Sequence, residues 1–501
     1  MSGPDGPVRH RVRVRLGLLL GAVLFIILAT ANSGGYRYGA SDQAFYVPAI
    51  AMSADPTLFP RDRGLFEPQM RLWLGDSVLG TLAFGTGHFP VLFAAMYGAT
   101  LVVLFGAAVA LGRGLGANWP TVAAFLGLLT LKHQITRTGA NSLEGYAHPR
   151  VLAFALGIAA LAFLVSRRRA AAAIAVAAAA VVHVTTALWF AAAIAAAILW
   201  DAPRRTAGLV ALGATAAVAM ALTFTTLSAR LVAMDTAWIQ AIGDRSYLFS
   251  AQWPVSTWIL NLGYALLLGA IYRRRRAVGV SVEGEAGFVA GFVALVALFL
   301  VSVPLTELRI SLAVQLQVNR VFWLLDAAAA FYLAWWLVSD LTRANGSRTQ
   351  WTVVAVIVAA SAARGLYLLG VAPARPMIEL DLPRTQWTDA MRWVGGQPAK
   401  WHVLADPQHV ARFGSSVRVA ALRDTLLEVG KDPAMAIYDR EAARRVLERA
   451  HALADFDSFT TADVRNLAAR YNLDVFVDRA DRQFDFPILY RNDGFIAYDL
   501  R

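Results

Sequence analysis

Arginine fills every second gap between the apolar stretches of this chain. The basic gaps hold Arg9 to Arg15, Arg113, Arg167 to Arg169, Arg204 and Arg205, Arg273 to Arg276, and Arg343 with Arg348, whereas the gaps between them are poorly basic. Positive residues that flank membrane spans are retained on the cytoplasmic side. The alternation therefore predicts both a class and an orientation: a polytopic membrane protein whose N-terminus is cytoplasmic and whose poorly basic loops face outward. The composition agrees, since only 16% of residues are charged, against about 25% in soluble proteins. The net charge of +12 lies mostly in the short basic gaps, where it sets topology and meets anionic lipid rather than nucleic acid. Cysteine is absent, which excludes disulfide frameworks and thiolate metal sites.

A spanning helix needs about 20 mostly apolar residues. Stretches near 16–32, 89–111, 119–131, 150–166, 170–183, 185–200, 206–226, 256–272, 287–304, 319–338 and 351–370 approach that, some of them short. The expected fold is a mainly α transmembrane bundle of about 11 spans, covering residues 1–371, with a small α/β domain at 372–501. Counting from a cytoplasmic N-terminus puts the gaps at 112–118, 167–169, 201–205, 273–286 and 339–350 inside. It puts 33–88, 132–149, 227–255, 305–318 and the segment 372–501 outside. The expected location is the plasma (inner) membrane of a bacterium. A rival reading of the first stretch is a signal peptide, with Ala29-Thr30-Ala31 as its small-residue cleavage site; residue 33 onward is external either way.

Beyond residue 372 charge rises and long apolar runs stop. Trp387 to Val394, Ala442 to Leu453 and Thr461 to Tyr471 have helical spacing. Trp401 to Leu404 and Asp474 to Asp478 read as strands, and Ile488 to Tyr490 and Phe495 to Tyr498 flank the hairpin signal Asn492-Asp493-Gly494. Strands alternating with helices indicate an α/β domain. No nucleotide-binding or nucleophile-elbow motif lies in it.

The most chemical stretch is in the first outer loop, 33–88. Ser41-Asp42-Gln43-Ala44-Phe45-Tyr46-Val47-Pro48 is followed by Asp55-Pro56-Thr57-Leu58-Phe59-Pro60-Arg61-Asp62. Residues Gln43 to Met52 are expected to form an interfacial helix with Phe45 and Tyr46 at the headgroups. Asp42 would be its N-cap, a role compatible with service as a base or metal ligand. The arrangement Asp42-Gln43, Tyr46-x-Pro48 and Asp55-Pro56-x-x-Phe59-Pro60-x-Asp62 resembles bacterial membrane proteins of the C-type (GT-C) glycosyltransferase superfamily. The likeness in topology extends over the whole chain. It implies transfer of a sugar from a polyprenyl-phosphate donor at the outer face, with Asp42 as catalytic base and Asp55 and Asp62 as minor candidates. The sequence lacks the paired carboxylates that would hold a metal at the loop start, so a divalent cation, Mg or Mn, is left open, with Asp42 as its ligand if one binds.

Such a transfer needs a carboxylate for the acceptor hydroxyl and cations for the lipid phosphate. Outward cations are few. Lys132 and His133 end the third stretch, and Arg150 begins the fourth after Asn141, Glu144, Tyr146 and His148. Arg309 and Arg320 flank the outer loop before the tenth stretch, around Gln315, Gln317 and Asn319. Arg320 is the first choice for the phosphate, a position the resemblance also favours, with snorkelling to lipid headgroups as its bland alternative. Asp326 and Arg364 are expected as an intramembrane pair. His183 is a turn cap or a functional imidazole. Trp238, Trp253 and Trp258 are expected in the interface belt, and Asp235, Asp244 and Arg245 as solvated charges. Two other function classes fit the same topology: a transporter or flippase of a lipid-linked or small polar substrate, and a non-catalytic assembly factor. Against the first stands the lack of an internal repeat.

Overall fold

The computed structural model describes residues 6–70, 88–206, 227–243, 245–371 and 375–501, together with scattered positions between 75 and 81 and between 208 and 220. The helices are α1 Gly6–Asn32, α2 Gln43–Ala54, α3 Arg63–Met70, α4 Phe89–Gly114, α5 Trp119–Leu129, α6 Pro149–Val165, α7 Arg169–Val182, α8 Val184–Trp200, α9 Thr236–Ile242, α10 Val255–Ala277, α11 Glu285–Glu307, α12 Ser311–Leu316, α13 Val321–Trp335 and α14 Gly346–Gly370. Every described stretch expected to span is therefore helical; the stretch at 206–226 lies largely outside the described residues, as do residues 71–87 of the first loop and Asp244.

Length separates these helices. Among the described residues six runs are long and apolar enough to cross a membrane: Val14–Asn32, Phe89–Gly114, Val255–Ala277, Glu285–Glu307, Ser311–Asp340 and Gly346–Gly370. α5, α6, α7 and α8 are apolar but hold 11, 17, 14 and 17 residues. At a rise of roughly 1.5 Å per residue they fall short of a hydrocarbon core about 30 Å thick. Among the described residues the protein is mainly helical, with six candidate spans and a small C-terminal sheet, and the expected count of about 11 is not confirmed.

Contacts sort the gaps between helices into two ends. At one end, Arg167 pairs with Glu283 at 2.5 Å and faces Asp201 at 3.9 Å, Arg274 pairs with Asp340 at 2.9 Å, and Asn118 bonds Gln350 at 3.1 Å. Arg275 turns inward there. It is buried, with Nε on Glu285 Oε1 at 2.6 Å and Nη2 on the Leu115 carbonyl at 2.7 Å, while Tyr332 donates to the same carboxylate at 3.0 Å. An arginine read from the sequence as part of a basic turn thus joins α10, α11 and α13. At the other end, Arg37 N–H donates to Gly145 O, Met234 N–H to Arg309 O, and Arg137 to Ser246 Oγ. The arginine-rich gaps gather at the first end and the poorly basic gaps at the second. Between the ends, α8 and α11 approach closely: a Cβ on Gly291 would collide with the Ala193 carbonyl, and one on Gly287 with that of Ala197. Small residues permit such contact where no hydrophobic drive separates helix from lipid.

The C-terminal sheet has the order β6-β5-β7-β9-β8, with β5 His402–Ala405, β6 Asp424–Thr425, β7 Val475–Arg479, β8 Ile488–Arg491 and β9 Phe495–Asp499. β6, β5 and β7 are parallel, and β9 is antiparallel to β7 and β8. Period-two alternation builds two faces. Val403, Val475, Val477, Phe495 and Ala497 pack under α15 (Gln386–Gly395) through Trp387, Met391 and Val394. Leu404, Phe476, Ile496 and Tyr498 belong to the opposite core with Val446 and Val464, from the helices Arg440–Ala452 and Thr461–Tyr471. Asn492 closes the β8–β9 turn, its Oδ1 accepting from the N–H groups of Gly494 and Phe495. Apart from the edge strand β6, these elements fall where the sequence places them.

Two ties bind this domain to the first loop. β1 (Tyr36–Arg37) pairs in parallel with β4 (Ile378–Glu379), joining the exits of the first and last helices, while β2 (Gln134–Ile135) and β3 (Ala140–Asn141) form a separate antiparallel pair. The second tie is a buried ion cluster. Asp62 and Arg418 are both fully buried, with Arg418 Nε on Asp62 Oδ2 at 2.8 Å; Arg418 also holds Asp432 and Glu428, and Arg445 binds the second oxygen of Asp62. Asp424 returns the contact by accepting the N–H groups of Arg61 and Asp62 at 3.1 and 2.9 Å. Removing one partner of a buried ion pair costs roughly 3–5 kcal/mol, because the other charge is left buried without compensation. Arg418→Ala should therefore lower stability by about that amount, read as a fall in the thermal midpoint by tryptophan fluorescence. Arg444→Ala, which breaks an exposed pair with Glu441, should leave the midpoint in place.

Candidate functional site

α2 is not an interfacial helix. Residues Gln43 to Met52 are buried, and Phe45 packs on Tyr46 and Phe66 rather than on lipid headgroups. Gln43 pins the helix start: its Oε1 accepts from Gly39 N–H at 2.6 Å and its Nε2 donates to Ala147 O at 3.1 Å. Asp42 occupies the N-cap position but does not cap. Its backbone is right-handed helical, φ −69° and ψ −8°, and its side chain makes no cap hydrogen bond; a capping side chain needs extended backbone to reach back over the first turn. The carboxylate is thus free to point elsewhere.

It points into a cavity of about 250 Å³ at the poorly basic end of the bundle, lined from the first loop, the 139–150 segment, the α7–α8 turn, the 245–247 loop, the start of α13 and the C-terminal domain. Asp42 Oδ2 accepts from His148 Nε2 at 3.0 Å and from the Tyr146 hydroxyl at 3.4 Å. Oδ1 is bound by the Lys431 ammonium, which reaches in from the C-terminal domain. The Asp42 side chain keeps 36% of its surface open, at the lining of this recess. Burial alone would raise its pKa. The Lys431 ammonium, the His148 hydrogen bond and the Arg150 charge overcome that and hold the carboxyl well below its ordinary range.

His148 and His183 face the same recess, their rings 6.4 Å apart. His148 Nδ1 accepts from Arg150 N–H at 3.0 Å, capping α6, so in the neutral ring Nε2 carries the proton and donates to Asp42. His183 Nδ1 caps α8 by accepting from Thr186 N–H at 3.3 Å. Burial lowers both histidines; Arg150 adds to it for His148, and His148, Arg150 and Arg320 hold His183 well below the usual imidazole range. Both are neutral at physiological pH. The bland role foreseen for His183 and the cavity position coexist in one side chain.

Cations meet these groups from two segments distant in sequence. Arg150 is buried beside Trp323 and pairs with Glu144 at 3.2 Å, and Asn141 also donates to Glu144. Arg320 has its Nε buried without a hydrogen-bond partner, and no ion pair joins it to a carboxylate among the described residues. Three residues before it, Gln317 adopts left-handed backbone (φ 51°) that separates α12 from α13. Its Nε2 donates to the Tyr438 hydroxyl at 3.3 Å, while Oε1 is buried without a partner. The recess therefore holds unused donor and acceptor capacity.

Six of the nine residues singled out from the sequence line this one cavity: Asp42, Glu144, Arg150, His183, Gln317 and Arg320. Three do not. Arg309 is exposed, with its carbonyl tied to Met234 N–H. His133 pairs with Asp326 at 3.1 Å. The Lys132 carbonyl accepts from Arg364 at 2.7 Å, and Arg364 also bonds Asn32 Oδ1 at 2.8 Å; Asp326 and Arg364 therefore take separate partners instead of each other. Asp62 is consumed by the ion cluster, and Asp55 closes a turn on Thr57 N–H at 2.9 Å. The aromatic belt is corrected too. Trp238 is buried with Nε1 on Ala436 O at 2.8 Å, and Trp253 is buried against Phe299. Asp235 caps α9 and pairs with Arg440 at 2.6 Å, and Arg245 lines the cavity rather than sitting in solvent.

Sequence reading missed Lys431, Tyr438 and Tyr247. Lys431 precedes a four-residue helix, Asp432–Met435, in a stretch without periodicity, so no local pattern could assign it. The donor set does not fit a hard divalent cation. Asp42 and Glu144 are each paired with a cation and His148 presents a proton, whereas such an ion wants several free oxygens. Comparison of the chain with protein-family models and with curated proteins finds no match.

A carboxyl depressed in the folded protein supports the fold above its unfolded pKa of about 3.9 and loses that support as pH falls through the folded value. Asp42 should thus stay ionised across the ordinary pH range. Infrared difference spectra, with Asp42→Asn as the reference, should show no Asp42 carbonyl band at pH 4. His148→Phe should shift that titration upward by removing a hydrogen bond to the charged form.

Proposed function

We propose that this protein is a membrane glycosyltransferase that moves a sugar from a polyprenyl-phosphate donor to an acceptor hydroxyl at the outer face of the bacterial inner membrane. One observation carries the reading: an ionised carboxylate, Asp42, shares a polar recess with the unpaired guanidinium of Arg320, at one end of an apolar helix bundle. Among the described residues of the recess, Lys431 is matched by Asp42 and Arg150 by Glu144, whereas Arg320 and Arg245 have no carboxylate partner, so its free capacity is positive charge and a set of hydroxyl partners.

The orientation follows from charge. The arginine-rich gaps cluster at the end away from the cavity, and such residues stay cytoplasmic. On this reading α5 to α8 also traverse the bilayer, by thinning or tilt of their surroundings, the C-terminal domain is extracytoplasmic, and the cavity lies at the outer headgroup level. A lipid-linked donor would bring its phosphate to that depth and leave its tail in the bilayer.

In the proposed reaction the anomeric carbon–oxygen bond to phosphate breaks and its electron pair stays on the phosphate oxygen. Arg320 stabilises that developing charge in a site shielded from water. Arg150, held by Glu144 and Trp323, supplies a fixed positive background. The acceptor oxygen bonds to the anomeric carbon and its proton passes to Asp42. The buried, unpartnered Oε1 of Gln317 and the hydroxyls of Tyr146, Tyr247 and Tyr438 are placed to read sugar hydroxyls.

The test is transfer from polyprenyl-phosphate sugars by purified protein in liposomes. Asp42→Asn should slow transfer by roughly 100- to 10,000-fold, the range for losing a general base. Arg320→Ala should weaken lipid-phosphate binding by about 10- to 100-fold, as expected for a charge-assisted contact of about 1.5–3 kcal/mol. Transfer by both variants at the wild-type rate would refute the reading; substrate flux across the liposome without transfer would instead mark a transporter.

A further inference from the structure

Asp42 is poorly set up as a base while Lys431 holds it. A base works best with a pKa near the operating pH, and the paired Asp42 carboxyl lies well below its ordinary value. One of its oxygens, Oδ2, is committed to the His148 proton. The acceptor hydroxyl must therefore approach Oδ1, where the Lys431 ammonium sits.

Charge bookkeeping shows where the ammonium could go. A polyprenyl-phosphate sugar is a phosphodiester with one negative charge. The product is a monoester carrying about 1.5 to 2 near neutral pH. As the lipid phosphate gains charge, Asp42 loses its own by taking the acceptor proton. Arg320 balances the diester. Arg150 is already matched by Glu144 at 3.2 Å, and Arg245 is held by the Ile242 carbonyl at 3.0 Å. Among the described residues, Lys431 is the cavity cation whose one carboxylate partner is Asp42. It sits on a flexible stem beside Gly430, is 15% exposed, and lines the recess that Arg320 lines. An ammonium stranded there beside a protonated Asp42 would be uncompensated, which is costly at such burial.

We propose that Lys431 is a movable counter-ion that passes from Asp42 to the leaving phosphate during transfer. This rests on the transferase reading above and adds a role for the C-terminal domain, which places the lysine. As Lys431 departs, Oδ1 is vacated for the acceptor hydroxyl and the basicity of Asp42 rises. The balance is that of the reaction above: the electron pair goes to phosphate oxygen, the proton to Asp42 Oδ1, and the ammonium follows the negative charge.

The experiment is a binding measurement with the full-length protein, using a polyprenyl phosphate and the methyl diester of the same lipid as probes. The wild type should prefer the monoester. K431A should bind the monoester at least tenfold more weakly, with diester affinity within about threefold of wild type, so that the preference disappears. K431R should retain most of it. D42N, which frees Lys431, should bind the monoester more tightly than wild type does. Equal effects of K431A on both probes, or none on either, would overturn the counter-ion role and leave the transferase reading intact. Should K431A not fold, monoester affinity unchanged in D42N overturns the same role. Failure of the wild type to bind either probe would overturn both readings together.

Discussion

The fully buried contact between Asp62 and Arg418 is the constraint on which the rest of the cavity depends. It joins the first loop to the C-terminal domain out of reach of water, where one partner without the other would be costly. Arg418 also grips Asp432, and Asp432 follows Lys431 in sequence. The cluster therefore fixes the backbone from which Lys431 reaches Asp42, while Trp238 and Gln315 secure the same segment from the bundle side through the Ala436 and Ile437 carbonyls. The cavity is a joint product of bundle and domain.

Helix termini do a second share of the positioning. His148 and His183 each spend Nδ1 on a helix start, α6 and α8, which fixes their rings and leaves Nε2 for the recess. Gln317, in left-handed backbone, breaks the long apolar run between α12 and α13 and presents both its own amide and Arg320. These are backbone constraints with electrostatic consequences: neutral imidazoles, an ionised Asp42 and a guanidinium without a carboxylate partner among the described residues, all lining one recess.

Much of the fold was legible before any coordinates. Apolar length and arginine alternation located the long apolar helices of the bundle, most of their ends within about five residues although α1 begins at Gly6 rather than near 16, because helix periodicity and lipid exposure act on every position. The C-terminal strands other than the two-residue β6, the amphipathic helices and the Asn492 hairpin were readable for the same local reason. Legibility failed where an outcome hinged on partners far away. Phe45, Tyr46, Trp238 and Trp253 have the composition of an interface belt but are buried by segments the sequence does not place beside them. Asp62 and Asp55 share one loop motif, yet one is locked in an ion cluster and the other closes a turn. Lys132, His133 and Arg309 lie on the expected end and still miss the cavity, since position along a helix says nothing about which side faces inward.

The sequence by itself determined an apolar helical bundle, the grouping of its basic gaps, the α/β character of the last third and the prominence of Asp42 and Arg320, because these are set by local composition and spacing. Only the tertiary structure decided that Asp42 leaves its helix uncapped, that His148 and Lys431 divide its two oxygens, and that Arg320 has no carboxylate partner among the described residues. Those outcomes depend on side chains hundreds of residues apart meeting in a recess shielded from water, where each charge must be matched by whatever the fold brings within reach.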